Sequence, residues 1–295
     1  MTQLTEDQIR RYDEDGFLFV PQVIEPQWLE LMARVHARDL AHTTPWAVTN
    51  VKPGHHQFVL DNSNFSVSAG WQELLYESPV VDLLGDVMRT DEIWLYYDQI
   101  FYKEGAAFPT GWHQDLSYYN MVKAEPQATG AWISLDPVAQ GFGLEMVRGS
   151  HKGPLYHGGS TKSLYAVGFE FDLGEGAMPN IEAHRDEYDI VSYASQPGDL
   201  LLLHPQVLHG GAPTEAGNRR RTLTINVFGP QARYHPRPPG HTPRFPGIGD
   251  ALQAGEPLCR AADRYFPQLR PLPEVRRSVL AVHDMDYGPE EGGNS

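Results

Sequence analysis

From Ile93 to Phe228 the chain is written as short β-branched and aromatic runs, each closed by glycine, proline or asparagine. Such punctuation stops helices and makes turns, so the pattern predicts strands. The expected strands are Ile93–Tyr102, Gln127–Leu135, Gly143–Val147, Ile190–Ala194, Asp199–Leu203 and Arg220–Phe228. Many short strands with long connections bury best as two facing sheets. The fold class expected is therefore mainly β with flanking helices, around a double-stranded β-helix (jelly-roll, cupin-like) core.

Helical signals lie before that region. Thr5 and Gln8 have the spacing of a capping box, Ile9 and Tyr12 follow at helical period, and Gly16 ends the element. Phe17–Val20 reads as a buried strand. Pro26–Ala41 reads as a second helix, and Trp71–Met88 as one or two more, interrupted at Ser78-Pro79. Tyr156–Arg185 is a long insertion. Beyond Pro230 the chain is proline-rich, with a short helix expected at Asp263–Phe266. No repeat or linker divides the sequence. The expectation is a single domain over 1–295, with a helical part at about 5–90, a jelly-roll core at about 91–229 and an extension at 230–295.

Charge narrows the partners. A formal net charge of −15 disfavours nucleic-acid backbones and anionic membranes, which need a basic face. No apolar run approaches a membrane span, and the N-terminus carries no secretory pattern. Cys259 is the single cysteine, so neither an internal disulfide nor a cysteine-based metal site is available. A cytoplasmic protein acting on a small-molecule substrate is expected, with no nucleic-acid or membrane partner. Oligomeric state is not readable.

The densest chemistry lies at Gly111-Trp-His-Gln-Asp115. On a strand, residues two apart share a face, so His113 and Asp115 are expected to grip one ion together. Alone, His-x-Asp is a weak pattern, and a second match stands at His184-Arg-Asp186 in a charged run that reads as a solvated loop. The candidate third ligand is His209, followed by Gly210 and Gly211, which permit close backbone approach. His204 is its rival, although a hydrogen bond at a strand end suits it better. Two histidines and a carboxylate are the set that holds non-haem Fe(II) on one face and leaves other positions open. The same set also holds catalytic zinc. In Arg219-Arg-Arg-Thr-Leu-Thr-Ile-Asn-Val227, Arg220 has the parity of Thr222, Thr224 and Asn226. It should face a polar interior, with Arg219 and Arg221 pointing elsewhere.

Trp112-His-Gln-Asp115, Gly143-Leu-Glu-Met-Val-Arg-Gly-Ser-His151, Pro197-Gly-Asp-Leu-Leu-Leu-Leu-His204, His209-Gly-Gly-Ala-Pro213 and Arg220 occur in that order. As a set they resemble the phytanoyl-CoA dioxygenase family of Fe(II)- and 2-oxoglutarate-dependent oxygenases. Tyr12–Val20 resembles the family's opening. The resemblance implies that His113, Asp115 and His209 are the catalytic iron ligands and that Arg220 grips the distal carboxylate of 2-oxoglutarate. It places Trp132 against the co-substrate pocket. Tyr97, Gln99, Phe101 and Lys103 share one face of the preceding strand, where co-substrate contact and plain packing are both open readings. His151 is expected to brace its loop. Arg148 departs from the family's usual proline. The implied activity consumes O2 and 2-oxoglutarate, is supported by ascorbate, and hydroxylates or otherwise oxidises a metabolite, natural products included. With Asp115 in place, halogenation is disfavoured, since related halogenases carry Ala or Gly there. A non-catalytic binding protein and a zinc-dependent hydrolase are the alternatives. Trp46, Phe108, Trp112, Tyr118 and Tyr119 are candidate aromatics for the pocket mouth.

Overall fold

The computed structural model describes residues 3–45, 47–51, 57–105, 109–122, 127–156, 176–212, 214, 217–237 and 245–274. Trp46, Phe108, most of the 156–185 insertion and the chain after 274 lie outside the described residues.

The chain opens as its first residues dictate. Thr5 caps α1 (Glu6–Asp15) through a complete capping box with Gln8, and Gly16 closes it in the left-handed region. A box of this kind is worth about 1 kcal/mol. Ile9 and Tyr12 face inward, and the Tyr12 hydroxyl donates to Thr129 Oγ1 at 2.8 Å. Then follow β1 (Phe17–Val20), α2 (Pro26–Ala41), β2 (Val48–Val51) and β3 (Gln57–Asn62). Two short helices, α3 (Ala69–Glu77) and α4 (Val80–Met88), meet at Ser78-Pro79, where proline cannot continue α3.

The strands after α4 are β4 (Ile93–Glu104), β5 (Thr110–His113), β6 (Ala128–Ser134), β7 (Leu144–Val147), β8 (Ile190–Ser192), β9 (Leu200–Leu203), β10 (His209–Gly211), β11 (Arg219–Phe228) and β12 (Gln268–Arg270). They form two antiparallel sheets. The larger runs β1-β9-β6-β11-β4-β3-β2, with β12 added beside β4, and the smaller runs β5-β10-β7-β8. This is the jelly-roll class that the sequence predicts. The larger sheet draws β1, β2 and β3 from the N-terminal part and β12 from the C-terminal extension. The helical turn expected at Asp263–Phe266 lies earlier, at Leu258–Ala261. Pro257 sets its start, and only isolated turns follow it.

Strand parity sorts the larger sheet into two faces. Leu200, Leu202, Leu223, Ile225, Ile133 and Ile100 point to the helices, where they bury Leu74, Leu75, Leu83, Leu84 and Trp71. Each fully buried leucine contributes roughly 1.5–3 kcal/mol. Alternate residues point to the smaller sheet: Trp132, Leu201 and Leu203 meet Met146 and Val207 there. Part of that inner face is polar, through Arg220, Thr222 and Asn226 of β11, all buried. A polar stripe inside an otherwise apolar sandwich marks where a ligand belongs.

The C-terminal segment packs on one end of the sandwich. Phe245, Leu258 and Phe266 cluster with Trp94, Tyr96, Tyr119 and Phe228. Arg237 donates to the carbonyls of Leu116, Tyr119 and Met121 at 2.9, 2.6 and 3.3 Å. At the far side of the insertion, Ile181–Glu187 forms 3-10 turns whose Glu182 accepts from Trp112 Nε1 at 2.6 Å. Arg185 also pairs with Glu145 of β7, so this segment is tied to the smaller sheet. Among the described residues, no helix is long and apolar enough to cross a membrane.

Candidate metal centre

β5 and β10 are too short to hold together by ladder bonds alone, yet they pair with His113 directly opposite His209. Gly210 and Gly211 permit this. A Cβ on Gly210 would lie 3.0 Å from the Thr110 carbonyl, and one on Gly211 would lie 3.1 Å from Thr110 Oγ1. Larger residues would push β5 away and separate the histidines. The two imidazole centroids are 4.1 Å apart.

Asp115 reaches them differently from the expectation. β5 ends at His113, and Asp115 opens a 3-10 turn, Asp115–Ser117. The two residues therefore do not project from one strand face. The turn folds the carboxylate back, and Oδ1 comes to 3.4 Å from His113 Nε2 and 3.7 Å from His209 Nε2. The three donor atoms lie within 4.8 Å of one another, the one such cluster of three found among the described residues. Each histidine Nδ1 faces a backbone carbonyl, Gly111 O at 2.8 Å and Val207 O at 3.0 Å. Those carbonyls require Nδ1–H, which leaves both Nε2 lone pairs for an ion.

Electrostatics agree. Burial, then the nearby His113, push His209 down to about 4, so its imidazole is neutral at neutral pH. Burial acts against the charge of Asp115, but His209, His113 and Tyr118 outweigh it and bring the carboxyl to about 2. A neutral His209 imidazole and an ionised Asp115 carboxylate suit a divalent ion.

The turn adds a layer around the carboxylate. Tyr118 donates to Asp115 Oδ1 at 2.7 Å, and Tyr119 Oη lies 3.3 Å from Oδ2. Tyr119 Oη also lies 2.9 Å from Asn226 Oδ1 and 3.2 Å from the Tyr97 hydroxyl. Sequence reasoning took these tyrosines for mouth aromatics. Gln114 was missed altogether. It is fully buried, with Nε2 donating to Gln206 O at 2.8 Å and Pro154 O at 3.0 Å, while Oε1 accepts from Tyr156 N at 2.8 Å. Its amide ties the Asp115 turn to the segment that leads into His209. Gln114→Glu removes both donations and strands the buried Gln206 carbonyl at about 1–3 kcal/mol, with about 0.5–1.5 kcal/mol more for the part-buried bond to Pro154. Denaturant unfolding should show a loss of about 2–4 kcal/mol, and a loss under about 1 kcal/mol would refute this role.

Arg220 lies beside the centre. It stands opposite Lys103 in the β4–β11 register, and the two are 6% and 3% exposed. Arg220 donates to the Phe142 carbonyl, and its Nη2 lies 3.8 Å from where a Gly211 Cβ would be. Lys103 donates to Thr110 Oγ1 at 2.9 Å. Burial, then Arg220, pull Lys103 down to about 7, and burial alone pulls Arg220 down to about 10. A buried guanidinium with a buried lysine beside it makes a receptor for an anion, and an anion there would hold Lys103 protonated. Arg219 and Arg221 point away and pair with Asp136 at 3.8 and 2.7 Å. Gln99 lies on the same inner face, accepting from Thr224 Oγ1 at 3.1 Å. Tyr97 and Trp132 face the same way by register.

The rival residues stand apart. His184 is exposed and pairs with Glu187 at 3.0 Å. His204 accepts from Gln206 N at 3.1 Å at the end of β9 and packs on His151. His151 donates from Nε2 to the Asp13 carbonyl at 3.1 Å, bracing its turn against α1. Arg148 bridges Asp15 and Asp189 on the surface.

The profile of the phytanoyl-CoA dioxygenase (PhyH) family matches residues 12–222, which include all three donors and Arg220. The chain belongs to this family. A sequence relative is a probable alpha-ketoglutarate-dependent hypophosphite dioxygenase of Stutzerimonas stutzeri, 26% identical over 156 residues. That match covers 52% of this chain, which spans about half (50%) of the relative's length. The fold is similar to that of the epimerase SnoN in complex with Fe3+, alpha ketoglutarate and nogalamycin RO. The TM-score is 0.67 at 22% identity, covering 90% of this chain and 98% of that one. It is also similar to EctD from S. alaskensis with 2-oxoglutarate and 5-hydroxyectoine, with a TM-score of 0.61 at 16% identity, covering 86% and 85%. At these identities the two neighbours establish the jelly-roll fold of the PhyH chain, and its site is argued from its own residues.

Proposed function

We propose that this PhyH protein is an Fe(II)- and 2-oxoglutarate-dependent dioxygenase that hydroxylates, or otherwise oxidises, an unactivated C–H bond of a small-molecule metabolite. The observation that carries the reading is the convergence of His113, Asp115 and His209, with the buried Arg220–Lys103 pair beside Gly211 and Thr110 of the same two strands. Two imidazole nitrogens and one carboxylate fit Fe(II), and three protein donors leave positions for a chelating co-substrate and O2. Bound there, the iron would supply activation of O2, which is the oxidant, while 2-oxoglutarate is the electron-donating co-substrate and leaves as succinate and CO2.

The chain's own residues do the rest. His113, Asp115 and His209 hold the ion by Nε2 and a carboxylate oxygen. Arg220, with Lys103 at its side, holds the far carboxylate of 2-oxoglutarate, a role suited to a planar fork. Tyr97, Gln99 and Trp132 line the inner face between that anchor and the centre. Packing of the two sheets excludes water from the reacting atoms. Asp115 fills the position that a halide would need, so the reading favours oxygen transfer over halogenation.

The relatives named for hypophosphite, nogalamycin and ectoine chemistry support a small substrate, natural products included. A reducing cytoplasm suits a ferrous enzyme with the lone Cys259, and we read residues 1–295 as one oxygenase domain. Purified protein with Fe(II), 2-oxoglutarate, ascorbate and O2 should form succinate, at a rate raised by the true substrate. Absence of succinate in iron-loaded protein, together with a hydrolytic activity in zinc-loaded protein, would replace the oxygenase reading with that of a zinc hydrolase.

A further inference from the structure

Asp115 differs from the two histidines in having a second donor atom. Held loosely, a carboxylate can turn and chelate an ion through both oxygens, taking a position that a co-substrate needs. The structure places a phenol near each oxygen. The cause is local: in a 3-10 turn, side chains three apart eclipse, so Tyr118 falls over Asp115, and Tyr119 follows it. The turn is fixed by Tyr118 N–H donating to the Asp115 carbonyl at 3.1 Å and by Arg237, which grips the Leu116 carbonyl within it and those of Tyr119 and Met121 just after it.

We infer that Tyr118 and Tyr119 are positioning residues that clamp Asp115 and keep it a one-oxygen ligand. Oδ1 is the oxygen nearer both imidazoles, so it faces the ion, and Tyr118 donates to it at 2.7 Å from the side. Oδ2 lies 3.3 Å from Tyr119 Oη, which occupies the space through which that oxygen would swing. Tyr119 has one proton to give. A carboxylate is a stronger acceptor than an amide, so Asp115 takes it, with the Asn226 amide turned to present its NH2 group to the phenol oxygen. The buried Tyr97 hydroxyl, 3.2 Å away, holds Tyr119 from behind.

This inference rests on the proposed metal centre and is tested without turnover. Co(II) is titrated anaerobically into wild type, Tyr118→Phe, Tyr119→Phe and a control, Tyr96→Phe. The control removes a hydroxyl that accepts from Asn120 N–H and keeps the ring, which packs tilted against Tyr119. Loss of an outer-layer partner typically lowers metal affinity about 10- to 100-fold. Both clamp variants should therefore bind Co(II) at least about tenfold more weakly. Their visible spectra should shift towards the weaker bands of a higher coordination number, while the control and wild type superimpose. Melting temperatures of the metal-free proteins separate this effect from general loosening. Should Tyr119→Phe not fold, the half-buried Tyr118→Phe carries the test. Spectra and affinities of the clamp variants equal to wild type would overturn the clamp alone. A wild type that binds no Co(II) would overturn the centre beneath it.

Discussion

Asp115→Ala should abolish succinate formation from 2-oxoglutarate while leaving the chain folded. Asp115 brings the only charge among the three donors, and two neutral imidazoles hold a divalent ion poorly without it. Even outer-layer partners of a metal site are worth about 10- to 100-fold, so loss of a direct ligand should cost more than about 100-fold in turnover and in Fe(II) affinity. The fold should survive because Asp115 is a turn residue whose side chain meets its neighbours Tyr118 and Tyr119 and the other two donors, His113 and His209, and ties down no separate element of the core. Succinate assay and metal titration, with a melting curve as control, check the result. Full turnover in the variant would remove Asp115 from the ligand set.

The second large effect falls on co-substrate affinity. Arg220→Ala should raise the 2-oxoglutarate KM by about 30-fold or more, since truncating one partner of a buried, hydrogen-bonded charge pair costs about 2–5 kcal/mol. Arg219→Ala and Arg221→Ala should change it by less than about threefold, because both side chains are directed to Asp136, away from the inner face that Arg220 shares. Arg220→Lys should fall between, keeping charge but losing the fork. Initial rates against 2-oxoglutarate concentration decide the matter. Equal effects at the three positions would mean that Arg220 is not the anchor.

What the sequence told, and what it withheld, follows from the range of the interactions. Thr5, Gln8 and Gly16 act within one helix, so α1 was legible to the residue. Parity along Arg219–Phe228 was long enough to turn Arg220 inward, and β11 confirms that register. His113 and His209 could be nominated from residue type and glycine neighbours. Their direct opposition was hidden, because it depends on two strands of three and four residues with no periodicity to read. β3 escaped notice for a related reason. Its Asp61 and Asn62 look like loop residues, yet they are buried because Asp61 accepts from Thr44 N–H and Oγ1 at 2.8 and 2.5 Å. The Asp115 turn was misread as strand, since one histidine two residues back satisfies strand parity and turn geometry alike. Gln114 was invisible because its partners, Pro154, Tyr156 and Gln206, are distant in sequence. Contacts of that kind belong to the tertiary structure.

The opposition of His113 and His209 across a bare pair of glycines carries one more consequence. Each strand is brief, so an ion bridging the imidazoles would be a rivet as well as a reagent. Capture of the ion would then reinforce closure of the smaller sheet, and metal affinity would be returned as resistance to unfolding.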